Sequence, residues 1–212
     1  MEVMGAKSPF LRTWSGATAA QRTISAKRTD IYVAKVETRF LRPISKKMAD
    51  RQHRRWSKER PVEQIAAVMR TEFTNALKNS PRPHYRVVDS PTPNSVTLEL
   101  SLIELDPTSV SGNALKKGAS IAVGPLAGLA GKFTGGKIAI EARLIDTAEK
   151  WSLFEFADSE KDKMTFWTVR DFKPYAHSNV AIKEWASQFE ETTRNPDWRE
   201  MGDARIWTLR PW

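Results

Sequence analysis

Asp171, Tyr175 and His177 form the one stretch of this sequence in which three side chains able to give or take a proton stand close together. A general acid, a general base and a positioning group could be drawn from such a trio, so any hydrolytic or proton-transfer chemistry would begin there. Other reactive patterns fail on context. The run GKFTGGK from Gly131 to Lys137 has the glycine spacing of a phosphate loop, but Ile138 stands where a magnesium-ligating Ser or Thr is required. A β-strand pattern also follows it, in place of the helix N-terminus that holds a phosphate. His53, His84 and His177 have no ligand spacing to one another, and Ser120 in GASIAVG lacks the GxSxG elbow of a serine hydrolase. Asp106, Asp146, Asp158, Glu160 and Asp162 fall at expected strand ends and turns, where carboxylates cap backbone amides. The sequence therefore predicts a non-enzymatic protein with no catalytic residue, cofactor or metal assigned.

Two other features call for a partner. Seven of the ten glycines lie between Gly112 and Gly136, and residues 118–131 (GASIAVGPLAGLAG) carry no charge. Glycine disfavours a helix by about 1 kcal/mol per position, and a solvated loop would be polar. Something must cover this segment. A spanning helix is excluded because 14 residues reach only about 21 Å, and the two arms of a hairpin turned at Gly124-Pro125 are too short to span as strands. Gly118, Ile121, Val123, Gly124, Pro125, Leu126, Leu129 and Gly131 are thus expected to form an interaction loop, laid against the domain itself, a protein partner or a membrane surface. The second feature is charge. Residues 1–60 hold fifteen Lys and Arg against five Asp and Glu, while the rest of the chain balances nineteen against twenty. Lys46, Lys47, Arg51, Arg54, Arg55, Lys58 and Arg60 are the densest part, a candidate surface for anionic membranes. No helix-turn-helix, zinc-finger or RNA-recognition pattern accompanies it, so specific nucleic-acid recognition is not expected.

The elements that would carry these features follow from periodicity. Residues 1–29 lack a sustained pattern and read as a basic N-terminal arm. Residues 30–195 form a single domain, with residues 112–136 as a Gly-rich insert and residues 196–212 as a Trp-rich tail. Within the domain, residues 31–36 read as a strand, and Pro61 opens a helix that buries Val62, Ile65, Ala66, Met69, Phe73, Ala76 and Leu77 and stops before Pro81. Residues 85–88 and 95–105 are strands, the second with Val96, Leu98, Leu100 and Leu102 on one face and Thr97, Glu99 and Ser101 on the other. Residues 137–146 and 151–156 make a hairpin. A last helix over 178–193, capped by Ser178, buries Val180, Ala181, Trp185 and Phe189. The order β-α-β-β-β-β-α predicts an α/β (α+β) fold, a mixed and mostly antiparallel sheet with both helices on one face.

The segments YVAKVETRFL, YRVVDSP, VTLELSLIELDPTSVSGNAL, GGKIAIEARLID, FADSEKDK and AIKEWASQF, in that order over residues 30–195, resemble a bacterial lipoprotein family known only as a domain of unknown function. More distantly, the chain looks like the periplasmic domains of the curli-secretion lipoprotein, the Tol translocation protein and the penicillin-binding-protein activator lipoproteins. The resemblance implies a cell-envelope protein of the periplasm or outer membrane that binds other envelope proteins or itself and does not catalyse. Two departures stand out. Members usually begin with a lipoprotein signal ending in an acylated cysteine, and this sequence has no cysteine and no such signal. The turn after LIDT commonly reads Thr-Gly, whereas here it is Ala148-Glu149-Lys150.

Overall fold

The computed structural model describes residues 2–3, 9–42, 61–106, 137–161 and 175–194. Its centre is an antiparallel meander of three long strands, β5 (Ser95–Asp106), β6 (Lys137–Asp146) and β7 (Ser152–Lys161). Alternation explains why these strands form and which way they face. Leu98, Leu100 and Leu102 of β5 and Ile138, Ile140 and Leu144 of β6 are buried on one side, and every second residue between them turns the other way. The register pairs Leu98 with Leu144 and Glu99 with Arg143 on β6, and Arg143 in turn with Glu155 on β7.

On the far side of β5, β3 (Asp30–Val33) pairs parallel with it, and β4 (Arg86–Val88) pairs parallel with β3 at the edge. α2 (Pro61–Lys78) lies between β3 and β4 in the chain and buries Ile65, Ala66, Met69, Phe73 and Leu77 as expected. It packs against α3 (Ala176–Arg194), with the rings of Phe73 and Phe189 5.9 Å apart. Both helices cover the apolar face of a mixed, mostly antiparallel sheet, so the predicted fold class holds.

The N-terminal region departs from expectation. Residues 1–29 are more than an arm: β1 (Glu2–Val3) and β2 (Arg12–Ser15) extend the sheet beyond β7, and α1 (Ala19–Ser25) follows. Phe10 enters the core and stacks on Phe156 at 3.9 Å. A capping box starts α1, in which Gln21 N–H donates to Thr18 Oγ1 and Thr18 N–H to Gln21 Oε1. Gly16 eases the close approach where the chain leaves β2, since a Cβ there would stand 3.2 Å from the Ser152 carbonyl oxygen. The seven strands run in the order β1-β2-β7-β6-β5-β3-β4.

Three smaller corrections concern boundaries. β7 continues to Lys161 rather than ending near residue 156, which places Asp158 and Glu160 inside a strand and not at a turn. α3 begins at Ala176, so Ser178 is a buried residue within the first turn and not its cap. On the same helix Ala181, Trp185 and Phe189 are buried as expected and Ile182 and Ala186 join them, whereas Val180 is 47% exposed. The Gly-rich insert up to residue 136 and the tail from residue 196 lie outside the described residues.

Candidate binding face of the sheet

With α2 and α3 on one face, the opposite face of β2, β7, β6 and β5 carries the polar half of each alternating pattern. The cross-strand register sets a row there: Trp14 opposite Glu155, Glu155 opposite Arg143, Arg143 opposite Glu99. Arg143 donates through Nε to Glu99 Oε2 at 2.7 Å. Glu141 lies one step along the same face, opposite Ser101.

A wall rises beside this floor. β3 was expected to reach residue 36 but ends at Val33, and the chain then continues as an irregular ribbon still bonded to β5. Ala34 N–H donates to Leu98 O at 2.9 Å, Glu37 N–H to Leu100 O at 2.8 Å, and Arg42 N–H to Ile103 O at 2.9 Å. The ribbon is held locally as well, because Glu37 accepts the N–H groups of Thr38 and Arg39 at 3.0 Å each. The N–H of Arg39, against an opposing effect of burial and with the Arg39 charge, the Thr38 N–H and Lys35 adding to it, holds the Glu37 carboxyl below its usual range. At the turn, the Arg39 guanidinium sits 4.7 Å over the ring of Phe40, which is 55% exposed. Floor and wall enclose a groove of about 810 Å³, with Trp14 at one side and Phe40 and Arg42 at the other.

The end of the meander nearest α1 is fixed by a buried polar node. Asp146, 0% exposed, receives Ser25 Oγ at 2.7 Å, Arg28 Nε at 2.9 Å and Arg28 Nη2 at 3.2 Å. It also accepts the N–H groups of Ala148 and Glu149 at 3.0 and 3.1 Å, the turn chemistry that the sequence suggested. Burial alone would raise its carboxyl, but the donors from Arg28, Ser25 and Glu149 outweigh it and hold the group below the usual carboxylate range. Tyr85 lies within reach of this charge, and burial together with Asp146 pushes its phenol up to about 12. These bonds tie α1 to the β6–β7 turn. That turn holds Lys150 at a φ of 66°.

A second buried carboxylate, Asp158, faces α3. Burial pushes it up to about 6 against the opposing N–H of Ser159. Glu160 and Glu184 push in the same direction as burial, while the indole of Trp185 lowers it. Its Oδ2 has no hydrogen-bond partner. Asp106, at the end of β5, is also raised by burial and by Glu104, against Lys137.

Of the residues singled out in the sequence, the interaction loop from Gly118 to Gly131, the basic cluster from Lys46 to Arg60 and Asp171 lie outside the described residues. Tyr175 is partly buried against the core, and His177 sits in the first turn of α3 with Nε2 3.4 Å from Ser178 Oγ. Neither lines the groove. Among the described residues no group of three or more His, Asp or Glu could hold a metal ion, and no helix is long and apolar enough to cross a membrane. Sequence reasoning missed the groove, although the outward positions Glu99, Ser101, Glu141 and Arg143 were legible from alternation.

A family model described as a protein of unknown function, DUF3313, matches residues 17–189. The chain belongs to the DUF3313 family. The match runs from the entry to α1 through Phe189 of α3, so in this DUF3313 chain it takes in the wall, the floor beyond β2 and both core helices. No curated protein matches the sequence. Among solved structures, the DUF3313 chain is similar to a point-substituted form of the PelC dodecamer from Paraburkholderia phytofirmans, at 12% identity and a TM-score of 0.45, with 84% of this chain and 97% of that one covered. A second structure of the PelC dodecamer from the same organism gives 12% identity and a TM-score of 0.44, covering 84% and 95%.

Proposed function

We propose that this DUF3313 domain is a non-enzymatic module of the bacterial cell envelope that acts by protein association, with the open face of the sheet as its main contact surface. The groove carries this reading. Trp14 and Phe40 flank a floor of charged groups on rigid strands, and Trp, Phe and Arg are the residues enriched where protein interfaces concentrate their energy. The cell envelope follows from the lipoprotein-like resemblance of residues 30–195. The uncharged loop at 118–131 is a further contact element of the same module. The test is capture of partners from envelope extracts with the full chain and with a Trp14→Ala/Arg143→Ala variant. Loss of the Trp14 aromatic anchor should weaken binding by about 30-fold. Undiminished capture by that variant would remove the face from consideration, and undiminished capture after deletion of residues 118–131 would remove the loop.

The charge asymmetry of residues 1–60 favours a second reading, peripheral binding to anionic membranes through Lys46, Lys47, Arg51, Arg54, Arg55, Lys58 and Arg60. Co-sedimentation with anionic vesicles should then fall steeply with salt, since exposed charges are screened within about 8 Å at physiological ionic strength. Equal sedimentation with neutral vesicles would dismiss it.

A further inference from the structure

The charges around the groove are segregated. Among the floor residues that line the groove, Glu99, Glu141 and Glu155 stand against Arg143, leaving two negative charges. On the wall, Lys35, Arg39 and Arg42 stand against the single Glu37, leaving two positive charges. The internal pairs are Arg143 with Glu99 and Arg39 with Glu37. Lys35, Arg42, Glu141 and Glu155 make no ion pair within 4 Å among the described residues, and they are the groups that produce the two opposite excesses.

Floor and wall are thus equal in magnitude and opposite in sign, and they lie side by side on one surface. A surface of that kind is complementary to itself. A two-fold axis lays the same patch of two copies together, so the cations of one wall meet the carboxylates of the other floor, and the reverse contact forms at the same time. A partner with a single sign of charge would satisfy one half of the groove and be repelled by the other. We propose that the occupant of the groove is a second copy of this chain, set across a two-fold axis with each wall on the other copy's floor. The inference rests on the binding-face reading above and names its partner.

The test is a charge exchange in the full chain, read by light scattering and sedimentation equilibrium. One variant, Glu141→Lys/Glu155→Lys, makes the floor positive. The other, Lys35→Glu/Arg42→Glu, makes the wall negative. Each alone sets like charges against each other and should raise the dimer dissociation constant on the order of 100-fold. Mixed in equal amounts, the two should form a heterodimer with near wild-type affinity, because each altered surface then meets its opposite. Three of the four exchanged residues are exposed, and unchanged circular dichroism and melting will show that both variants fold. A monomeric wild-type chain would overturn the inference, as would dimers indifferent to both exchanges or a mixture that stays monomeric. A monomeric wild type whose Trp14→Ala/Arg143→Ala variant still loses a captured envelope protein would end this inference and leave the binding-face reading standing. Absence of both effects would end the two together.

Discussion

Replacement of Asp158 by Asn should stabilise the protein at neutral pH and lose that advantage in acid. Asp158 is 4% exposed on β7, its Oδ1 accepts Ser159 N–H at 2.7 Å, and its Oδ2 has no partner. Asn keeps the acceptor that Ser159 N–H uses and removes the charge. Burial raises the carboxyl to about 6, against about 3.9 in an unfolded chain. The folded state therefore holds the proton more tightly. Its contribution to stability is complete below about pH 4 and is lost as the pH rises through about 6. A shift of about two units at 1.36 kcal/mol each corresponds to roughly 2–3 kcal/mol borne by the ionised wild type near pH 7.5. Urea unfolding of both proteins at about pH 4 and about pH 7.5 isolates this quantity, because any packing penalty of Asn is common to the two conditions. The stability difference should move by about 2 kcal/mol in favour of Asp158→Asn between them, or about 1 M in urea midpoint for an m-value near 2 kcal/mol/M. A difference that does not change with pH would show that Asp158 titrates normally and is hydrated in the folded state.

Asp146→Ala should cost about 3–5 kcal/mol in chemical denaturation, because it strands the Arg28 guanidinium and two turn N–H groups; a loss below about 1 kcal/mol would mean that water replaces the carboxylate. Lys150→Gly should raise the melting temperature by about 2–4 °C, since a side chain at a φ of 66° is strained by about 1 kcal/mol or more. A lower melting temperature would count against that strain. Phe73→Ala, fully buried between the helices and the sheet, should cost about 3–5 kcal/mol, whereas Val180→Ala should stay within about 0.5 kcal/mol because Val180 points to solvent. Comparable losses from both would contradict the observed phase of α3.

The central strands and α2 were legible because one periodicity ran through each of them without interruption. Leu98, Leu100 and Leu102, or Ile65, Met69 and Phe73, leave no second assignment. β2 was not, since RTWS has four residues and draws its stability from pairing with β7, a contact distant in sequence. α1 was missed although its Thr18 and Gln21 capping box is a local signal, because seven residues are too few to show an apolar stripe. On α3 the stripe of Ala181, Trp185 and Phe189 was legible, but Val180 was expected in place of Ile182 because the two flank Ala181 and only packing on β6 and α2 chooses between them. β7 outran its hydrophobic run because β6 offers partners as far as Lys137, so Ser159, Glu160 and Lys161 become strand residues by pairing. The carboxylates of the groove were visible as outward positions. Their segregation from the wall cations depended on a ribbon of residues 34–42 whose backbone bonds no pattern announces.

The placement of β2 on β7, with α1 tied to Asp146, has a consequence for synthesis. Residues 9–28 leave the ribosome well before residues 146–161, which are their docking site. At about 5–20 residues per second that interval is on the order of ten seconds. During it the edge of β2 still awaits β7 and is available to chaperones or to other nascent chains. The yield of folded chain should therefore depend on holdase capacity during translation, and slowing elongation upstream of codon 152 should lower it.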